Sequence, residues 1–486
     1  MPPLIMPAGD ALAQAVGAFE RRDVNHLLNK TGKSVMQTTL TRNGSTLPSQ
    51  AELTQLVEQV LDEARRCGAT AAEASASVAT GLSVDVRQRE VDTLEHQRDR
   101  SLAVAVYFGQ RQGTASSADF SPASVRATVE AACAIARHTS EDPAQGLADP
   151  ELLARDVPDL DLHHPWDLQA DEAIELALAC EAAALDADPR ITNSDGAGVS
   201  TNAAVRVYGN SNGFLGAVRS TQHSINCRVI ASDEAGMQRD YWYTVSRVPD
   251  ALEAADLVGR NAAEQALRRL GSRRLGTRKV PVVYHAPVAR GLLGNFVSAV
   301  NGGALYRKAS FLLDKLGEPV FADWVRLSEH PHLPRELGSA AFDHEGVATR
   351  ERDLVRDGVL QGYVLSSYSA RKLGMTTTGN AGGVHNLRLE PGHRDFNGLL
   401  AEMGTGLLVT ELMGQGVNLV TGDYSRGATG FWVENGEIAY PVEEITVAGN
   451  LRDIFLGLQD AATDVDTRGG IHTGSILVDA MTVAGE

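Results

Sequence analysis

Thirteen histidines stand at positions 26, 96, 138, 163, 164, 223, 285, 330, 332, 344, 385, 393 and 472. No two lie three or four residues apart, so no helix face offers the paired imidazoles of an HExxH zinc site. His344-Glu345 opens such a motif but continues Gly-Val-Ala-Thr, without a second histidine. His330 and His332 share a strand face, yet Pro331 and Pro334 point to an exposed loop with solvated rings. The four cysteines, Cys67, Cys133, Cys180 and Cys227, form no CxxC pair, which removes zinc-knuckle and thioredoxin-type chemistry. Among nucleophiles, Gly209-Asn-Ser211-Asn-Gly213 fits G-x-S-x-G. A nucleophile elbow needs a helix directly after the serine. Here Phe214 to Thr221 reads as a strand and Asn212-Gly213 as a hairpin turn, so the turn is the better reading. There is no GxxxxGK[ST] phosphate loop, and Gly404-Thr-Gly406 lacks the third glycine of a dinucleotide fingerprint. The glycine-rich stretches 379–383 (GNAGG) and 404–416 fit tight turns, or close backbone approach to a ligand or peptide.

The elements that must position these groups are readable. Ser49 and Glu52 form a capping box ahead of a stripe of Leu53, Leu56, Val57, Val60, Leu61 and Ala64, and Gly68 supplies the stop. Short strands are expected over 74–78, 82–87, 102–108 and 112–117, then a helix from Pro122 to about Arg137. The Asp- and Pro-rich stretch 156–167 reads as a linker. A second helix-plus-strand unit follows: a helix over 170–185, strands over 190–193, 199–208, 214–221, 225–231 and 238–244, and a helix capped by Asp250 that runs through Leu270. The basic, glycine-bounded stretch 271–276 is the expected main boundary. Beyond it come a strand over 280–284, a helix over 287–300, hairpin turns at Asp357-Gly358 and Asn435-Gly436, a helix over 450–460 and a last strand over 476–483. Antiparallel hairpins with few βα alternations define an α+β chain. The expected parts are an extension (1–48), an α+β region (49–275, with a possible split near 150–168) and a strand-rich, Gly-rich region (276–486).

Composition narrows the class. The 486 residues carry 44 Lys+Arg against 62 Asp+Glu, a formal charge of −18. That balance argues against a dedicated nucleic-acid binder, whose surface needs a positive field. No run approaches the roughly 18 apolar residues of a membrane span, and no secretory signal pattern opens the chain. Few cysteines and no signal give a cytoplasmic expectation.

The C-terminal half carries a recognisable pattern. NGGALYRKASFLLDKLGEPVF (301–321), FDHEGVATRERD (342–353), SSYSARKLGMTTTGNAGG (366–383) and the run from EMGTGLLVTELMGQGVNLVTG at 402 through ITVAGNL at 451 resemble the PmbA-type (TldE-type) branch of the TldD/PmbA family, modulators of peptide processing. The match spans nearly all of 276–486, and 193–200 (NSDGAGVS) and 208–214 (YGNSNGF) extend it more loosely.

The resemblance implies a heteromeric metallopeptidase that cleaves unstructured peptides, including peptide-antibiotic precursors and labile antitoxins. Its TldD-type partner carries an HExxxH motif, a late Cys ligand and a divalent metal, with zinc the expected ion. Alignment on Arg307-Lys308 sets that motif over Gly294, Asn295 and Ala299, and the late Cys near 464–467. No metal ligand or catalytic group is therefore expected in this chain. The cleft or subunit interface is expected to involve Gly294, Asn295, Asn301, Tyr306, Arg307 and Lys308, the loop residues Gly379 and Asn380, and Asp423, Ser425 and Arg426. Expected partners are the TldD-type subunit and an unstructured peptide on a sheet edge, with neither nucleic acid nor membrane, and homodimerisation without the partner left open. The alternatives are a stand-alone peptide-binding or chaperone-like homodimer, and autonomous hydrolysis through Ser211 or the His330/His332 region.

Overall fold

The computed structural model describes residues 47–234 and 236–485, so nearly all of the expected extension 1–48 lies outside the described residues. The first helix, α1 (Gln50–Arg66), starts where its capping box dictates: Ser49 and Glu52 each accept the other's backbone N–H. Its apolar stripe buries Leu53, Leu56, Val57, Val60 and Ala64. Burying Leu53, Val57 and Val60 alone is worth about 5–9 kcal/mol as an upper estimate. Helices α2 (Pro122–His138), α3 (Ala170–Leu185) and α4 (Ala255–Arg268) complete this half.

All four helices cover one face of a six-stranded antiparallel sheet. Its strands are β1 (Ala71–Arg87), β2 (Glu90–Phe108), β3 (Arg111–Ser117), β4 (Ile191–Asn210), β5 (Leu215–Asp233) and β6 (Gly236–Ser246), in spatial order β3-β2-β1-β4-β5-β6. Period-two alternation turns Ala72, Ala74, Ala76 and Val78 of β1 toward α1 and α2, and Leu82, Val84 and Val86 toward α3 and α4. The two helix-plus-strand units foreseen in the sequence thus share one continuous sheet.

The second half begins with β7 (Arg278–Tyr284) and the helices α5 (Ala286–Ala299) and α6 (Gly302–Tyr306). Then come β8 (Leu327–Glu329), β9 (Arg352–Arg356), β10 (Val359–Leu360), α7 (Ser367–Lys372), β11 (Leu387–Leu389), α8 (Phe396–Met403), β12 (Gly406–Met413), β13 (Val417–Asn418), β14 (Asp423–Glu434), β15 (Glu437–Asn450), α9 (Leu451–Leu456), β16 (Leu458–Ala461), β17 (Ile471–His472) and β18 (Ile476–Ala484). One sheet runs β12-β7-β18-β15-β14-β13. The extra pairing of β12 with β14 closes its first five strands into a ring. A smaller sheet runs β10-β9-β8-β11-β17. In one large core Phe321 and Phe455 stack and Phe296 meets both edge to face. The class is α+β.

Several expected boundaries move. Positions 74–78 and 82–87 belong to one 17-residue strand, because Gly81 lies flat within it, where a Cβ would come 2.9 Å from the Thr201 carbonyl oxygen. Asp250 does not cap α4. It sits in a single 3-10 turn, and the helix starts only at Ala255, since the Glu253 N–H is taken by Thr244 Oγ1 at 3.1 Å. The late helix ends at Leu456, and 458–461 joins the sheet as β16. The hairpins at Asp357-Gly358 and Asn435-Gly436 form with positive φ at all four residues, as type I′ turns demand.

Candidate functional site

The second face of the six-stranded sheet is not surrendered to water. Alternation places Glu73 of β1, Tyr107 of β2 and Arg206 and Tyr208 of β4 on it. The Tyr107 hydroxyl donates to Glu73 Oε1 and the Tyr208 hydroxyl to Oε2, each at 2.7 Å. Burial raises the Glu73 carboxyl against these bonds. Opposite stands the turn 343–346. Asp343, 2% exposed, accepts N–H bonds from Glu345 (2.8 Å), Val347 (3.0 Å) and Ala381 (2.9 Å). Gly346 completes the turn at φ 79°, with Phe214 packed where a Cβ would stand. The turn thereby presents His344 and Glu345 toward the sheet.

The GNAGG loop closes the third side. Its Ala381 carbonyl accepts the His344 N–H at 2.9 Å. Asn380 donates to Glu329 Oε1 (2.8 Å) and to the Gly383 carbonyl (2.9 Å), and accepts from Arg352 (2.8 Å). Gly382, at φ 112°, lies so close to the His344 ring that a Cβ would sit 2.7 Å from it. The close approach foreseen for this stretch is thus, in this chain, to its own His344.

Between these three sides lies a cavity of about 270 Å³ that contains Glu73, Tyr107, His344, Glu345 and the loop 380–383 in its wall. A larger chamber of about 920 Å³ adjoins it, with Arg206, Arg219, His163 and His385 in its wall and His344 and Gly382 common to both. Arg247 pins the halves together, donating to the carbonyls of Thr221, Glu336 and Leu337. The charges inside are displaced from their usual values. Burial lifts the Glu345 carboxyl to about 8, with the Asp343 charge adding to it, while its single amide partner, Ser367 N–H at 2.8 Å, opposes the rise. Asp343, with three amide donors, stays the more acidic of the pair at about 6. His344 has accessible surface, but that surface faces the cavities, and burial followed by the Arg206 charge pulls its ring down to about 4. At neutral pH the site therefore holds a neutral imidazole and a carboxyl that retains its proton easily.

The residues expected at the cleft separate into three places. Asn301, Tyr306 and Asn380 line the 270 Å³ cavity together, Asn301 also capping α6 through Gly303 N–H. Arg307 is exposed, its guanidinium 5.3 Å from the Tyr306 ring, and Lys308 is exposed with φ 55°. Gly379, at φ 74°, is buried against the Ala348 carbonyl. Arg426 lines a different cavity of about 310 Å³ with His285, Arg290 and Arg468, and its Nε has no hydrogen-bond partner. Asp423 and Ser425 lie exposed on β14, Asp423 accepting from Thr421 and Asn450. Gly294 and Asn295, half-buried on α5, line none of these three cavities. Ser211 sits in the β4–β5 turn and its hydroxyl accepts the Ala72 N–H at 3.0 Å, a structural pin. His330 meets Ser328 Oγ at 2.8 Å and His332 meets Thr349 Oγ1 at 3.0 Å, so neither is a free solvated ring.

Sequence reasoning missed Glu73, Tyr107, Arg206, Tyr208 and Asp343, and weighed His344 and Glu345 only as half of a metal motif. The available signal was the polar member of each alternation, Glu between alanines at 72–74 and Arg-Val-Tyr at 206–208.

Three family models cover the chain: PmbA/TldA metallopeptidase domain 1 over residues 72–136, the central domain over 163–270 and the C-terminal domain over 277–485. The chain belongs to the PmbA/TldA metallopeptidase family. Metalloprotease PmbA of Escherichia coli O157:H7 is 51% identical over 85% of this chain and 92% of its own length. The Metalloprotease PmbA homolog of Haemophilus influenzae is 49% identical over 90% and 97%. A crystal structure from Bacteroides thetaiotaomicron, 30% identical, superposes with a TM-score of 0.85 over 90% of this chain and 99% of that one. TldE from Thermococcus kodakarensis, at 19% identity and a TM-score of 0.78 over 88% and 100%, shares the fold.

The family name implies a metal, and the described residues of this chain do not fit one. The α5 positions over which the resemblance set the family motif are a glycine, an amide and the buried Ala299. The stretch 464–467 places Asp464 on Ser475 and Asp466 in an ion pair with Arg468 at 3.0 Å, so both carboxylates are already engaged. Among the described residues no three His, Cys, Asp or Glu side chains are grouped to hold an ion. Among them, too, no helix is long and apolar enough to cross a membrane.

Proposed function

We propose that this chain is the PmbA/TldE-type subunit of a heteromeric, cytoplasmic TldD/PmbA metallopeptidase that cleaves unstructured peptides. The metal, zinc by expectation, is carried by the TldD-type partner. This chain completes the cleft and contributes Asn301, Tyr306, Asn380 and the cavity beside them, while Arg307, Lys308, Arg426 and the exposed β14 residues Asp423 and Ser425 are offered to substrate or partner. The observation that carries the reading is the residue set of α5: Gly294, Asn295 and Ala299 supply neither ligand nor base where the family motif falls, whereas a catalytic zinc needs about three protein ligands. Family relatives of both types, a TldD homolog of Haemophilus influenzae and the Thermococcus TldE, support two kinds of subunit.

The test is reconstitution with metal analysis. The chain alone is expected to hold no stoichiometric zinc or iron and to leave an unfolded peptide intact. Adding a TldD-type subunit is expected to bring both metal and cleavage. Metal-dependent cleavage by the isolated chain would sink the reading. A stable homodimer that binds peptide and never associates with such a partner would replace it with the chaperone-like alternative.

A further inference from the structure

The 270 Å³ cavity has room for about nine waters and an unusual charge inventory. Its wall contains two carboxyl groups, Glu73 and Glu345, and neither Lys nor Arg. Its one imidazole, His344, is held neutral by burial and by Arg206 behind it. Glu345 accepts one hydrogen bond among the described residues, from Ser367 N–H on Oε2. Among them no hydrogen bond falls on Glu345 Oε1, and a buried carboxyl oxygen normally finds a donor, so the cavity has a place for one.

The rest of the wall suits a cation. The rings of Tyr306 and Tyr368 meet edge to face with centroids 5.8 Å apart, and the Tyr107 hydroxyl lies against Glu73. Two carboxyl groups with no lysine or arginine in the wall favour a compact positive group with several N–H donors, whose charge would draw the proton off Glu345. A metal ion is a poorer match, since no three ligating side chains are grouped there. Geometry also supplies an exit. His344 and Gly382 border both this cavity and the 920 Å³ chamber, so an elongated ligand anchored in the first continues into the second. The chamber carries Arg206 and Arg219, which suit the carbonyl-rich or anionic remainder of a peptide.

We propose that this cavity binds the primary ammonium group of a peptide, seated between Glu345 and Glu73, with the remainder of the peptide leaving past His344 into the larger chamber. The proposal rests on the peptidase reading and deepens it: the subunit without the metal motif selects substrates by a free amine.

The experiment uses the full chain without its partner and a C-terminally labelled unstructured peptide, read by fluorescence polarisation. Three probes separate the sources of the amine: a lysine-free peptide with a free N-terminus, the same peptide N-acetylated, and the N-acetylated peptide carrying one lysine. Acetylation of the lysine-free peptide is expected to weaken binding at least tenfold. Recovery by the lysine-bearing probe would assign a side-chain amine, and no recovery the N-terminus; both support the cavity. Glu345→Gln, and separately Glu73→Gln, are expected to abolish the difference between free and acetylated probes. The acetylation comparison needs no variant, so a misfolded mutant does not spoil the test. Equal binding of all three probes, or binding of none, overturns the proposal. Cleavage with the TldD-type subunit is scored separately. A chain that binds amines but never supports cleavage keeps this inference and loses the peptidase reading, and the converse result does the opposite.

Discussion

Replacing Arg352 by methionine tests how the GNAGG loop is held. Glu329 is 2% exposed and receives Arg352 Nε at 2.7 Å, Asn380 Nδ2 at 2.8 Å and His385 N–H at 2.9 Å. Arg352 also donates to the Tyr363 carbonyl and to Asn380 Oδ1, so it ties β8, β9 and the loop into one network. Methionine keeps the aliphatic bulk and removes the charge, leaving Glu329 buried and unpaired. Breaking one side of a buried pair costs about 3–5 kcal/mol. For a cooperative unit of 150–250 residues each kcal/mol moves the melting temperature by about 2–4 °C, so the transition of the C-terminal half is expected to fall by about 10 °C. The double variant Arg352→Met with Glu329→Gln removes the orphaned charge while Gln still accepts from Asn380 and His385. It is expected to recover at least half of the loss. Glu329→Gln alone is expected to cost less, about 1–2 kcal/mol, because Arg352 keeps its carbonyl and amide partners. Differential scanning calorimetry of the four proteins closes the cycle. A drop under about 2 °C for Arg352→Met, or a double variant no better than the single, refutes the argument that an uncompensated charge dominates.

Other outcomes follow from the same geometry. Gly382→Ala sets a Cβ 2.7 Å from the His344 ring at φ 112° and is expected to cost about 1–3 kcal/mol in urea unfolding; a neutral effect would mean that the loop is not pressed on His344. Ser211→Ala removes the acceptor of the Ala72 N–H and is expected to cost about 1–2 kcal/mol of stability while the reconstituted complex keeps its full peptide cleavage, and loss of cleavage in a folded variant would restore the serine mechanism. The Glu345 carboxyl, raised from 4.5 to about 8, binds its proton more tightly folded than unfolded, so its contribution to stability is present below about pH 4.5 and lost as pH rises toward 8. Glu345→Gln is therefore expected to gain melting temperature over the parent as pH goes from 5 to 8.5, and a pH-independent difference would contradict it. His344 has the opposite sign. Depressed to about 4, it stabilises above about pH 6.5 and loses that contribution as pH falls to 4, so His344→Gln is expected to flatten the acid limb of the same profile.

Local rules were legible wherever the cause is local. The Ser49–Glu52 box, proline at the first turn of α2, the Asp357-Gly358 and Asn435-Gly436 turns and the helix over 170–185 all appear as read. Glycine misled where its reason was tertiary. Gly81 and Gly198 fall in the gaps left between expected strands, yet both lie inside long strands, where the Thr201 carbonyl and the Asp85 and Asn226 side chains respectively leave no room for a Cβ. Gly457 ended α9 early because Asp479 of β18 occupies the space beside it. Of the residues that line the 270 Å³ cavity, Asn301 and Tyr306 were singled out only through family resemblance, and Asn380 also through its glycine-rich stretch. The carboxyl groups opposite them were not, because Glu73 and Glu345 meet across 272 positions of chain and a polar residue on a strand's second face looks like a solvated one.

A subunit that merely filled space beside a catalytic partner would have no physical reason to keep these groups. An apolar side chain at position 345 would bury well beside Val364 and Tyr306, whereas a carboxyl there is forced to hold its proton near neutrality. The turn at 343–346 invests three amide N–H bonds in fixing Asp343, and the loop at 379–383 accepts three residues at positive φ to press against it. Buried polar groups held this way persist where the surroundings fix them for a use. At the α5 positions over which the resemblance sets the family motif, Gly294, Asn295 and Ala299 impose no such cost. On the reading proposed above, the polar chemistry of this chain lies at Glu73, His344 and Glu345, and those residues are placed for substrate selection rather than bond cleavage.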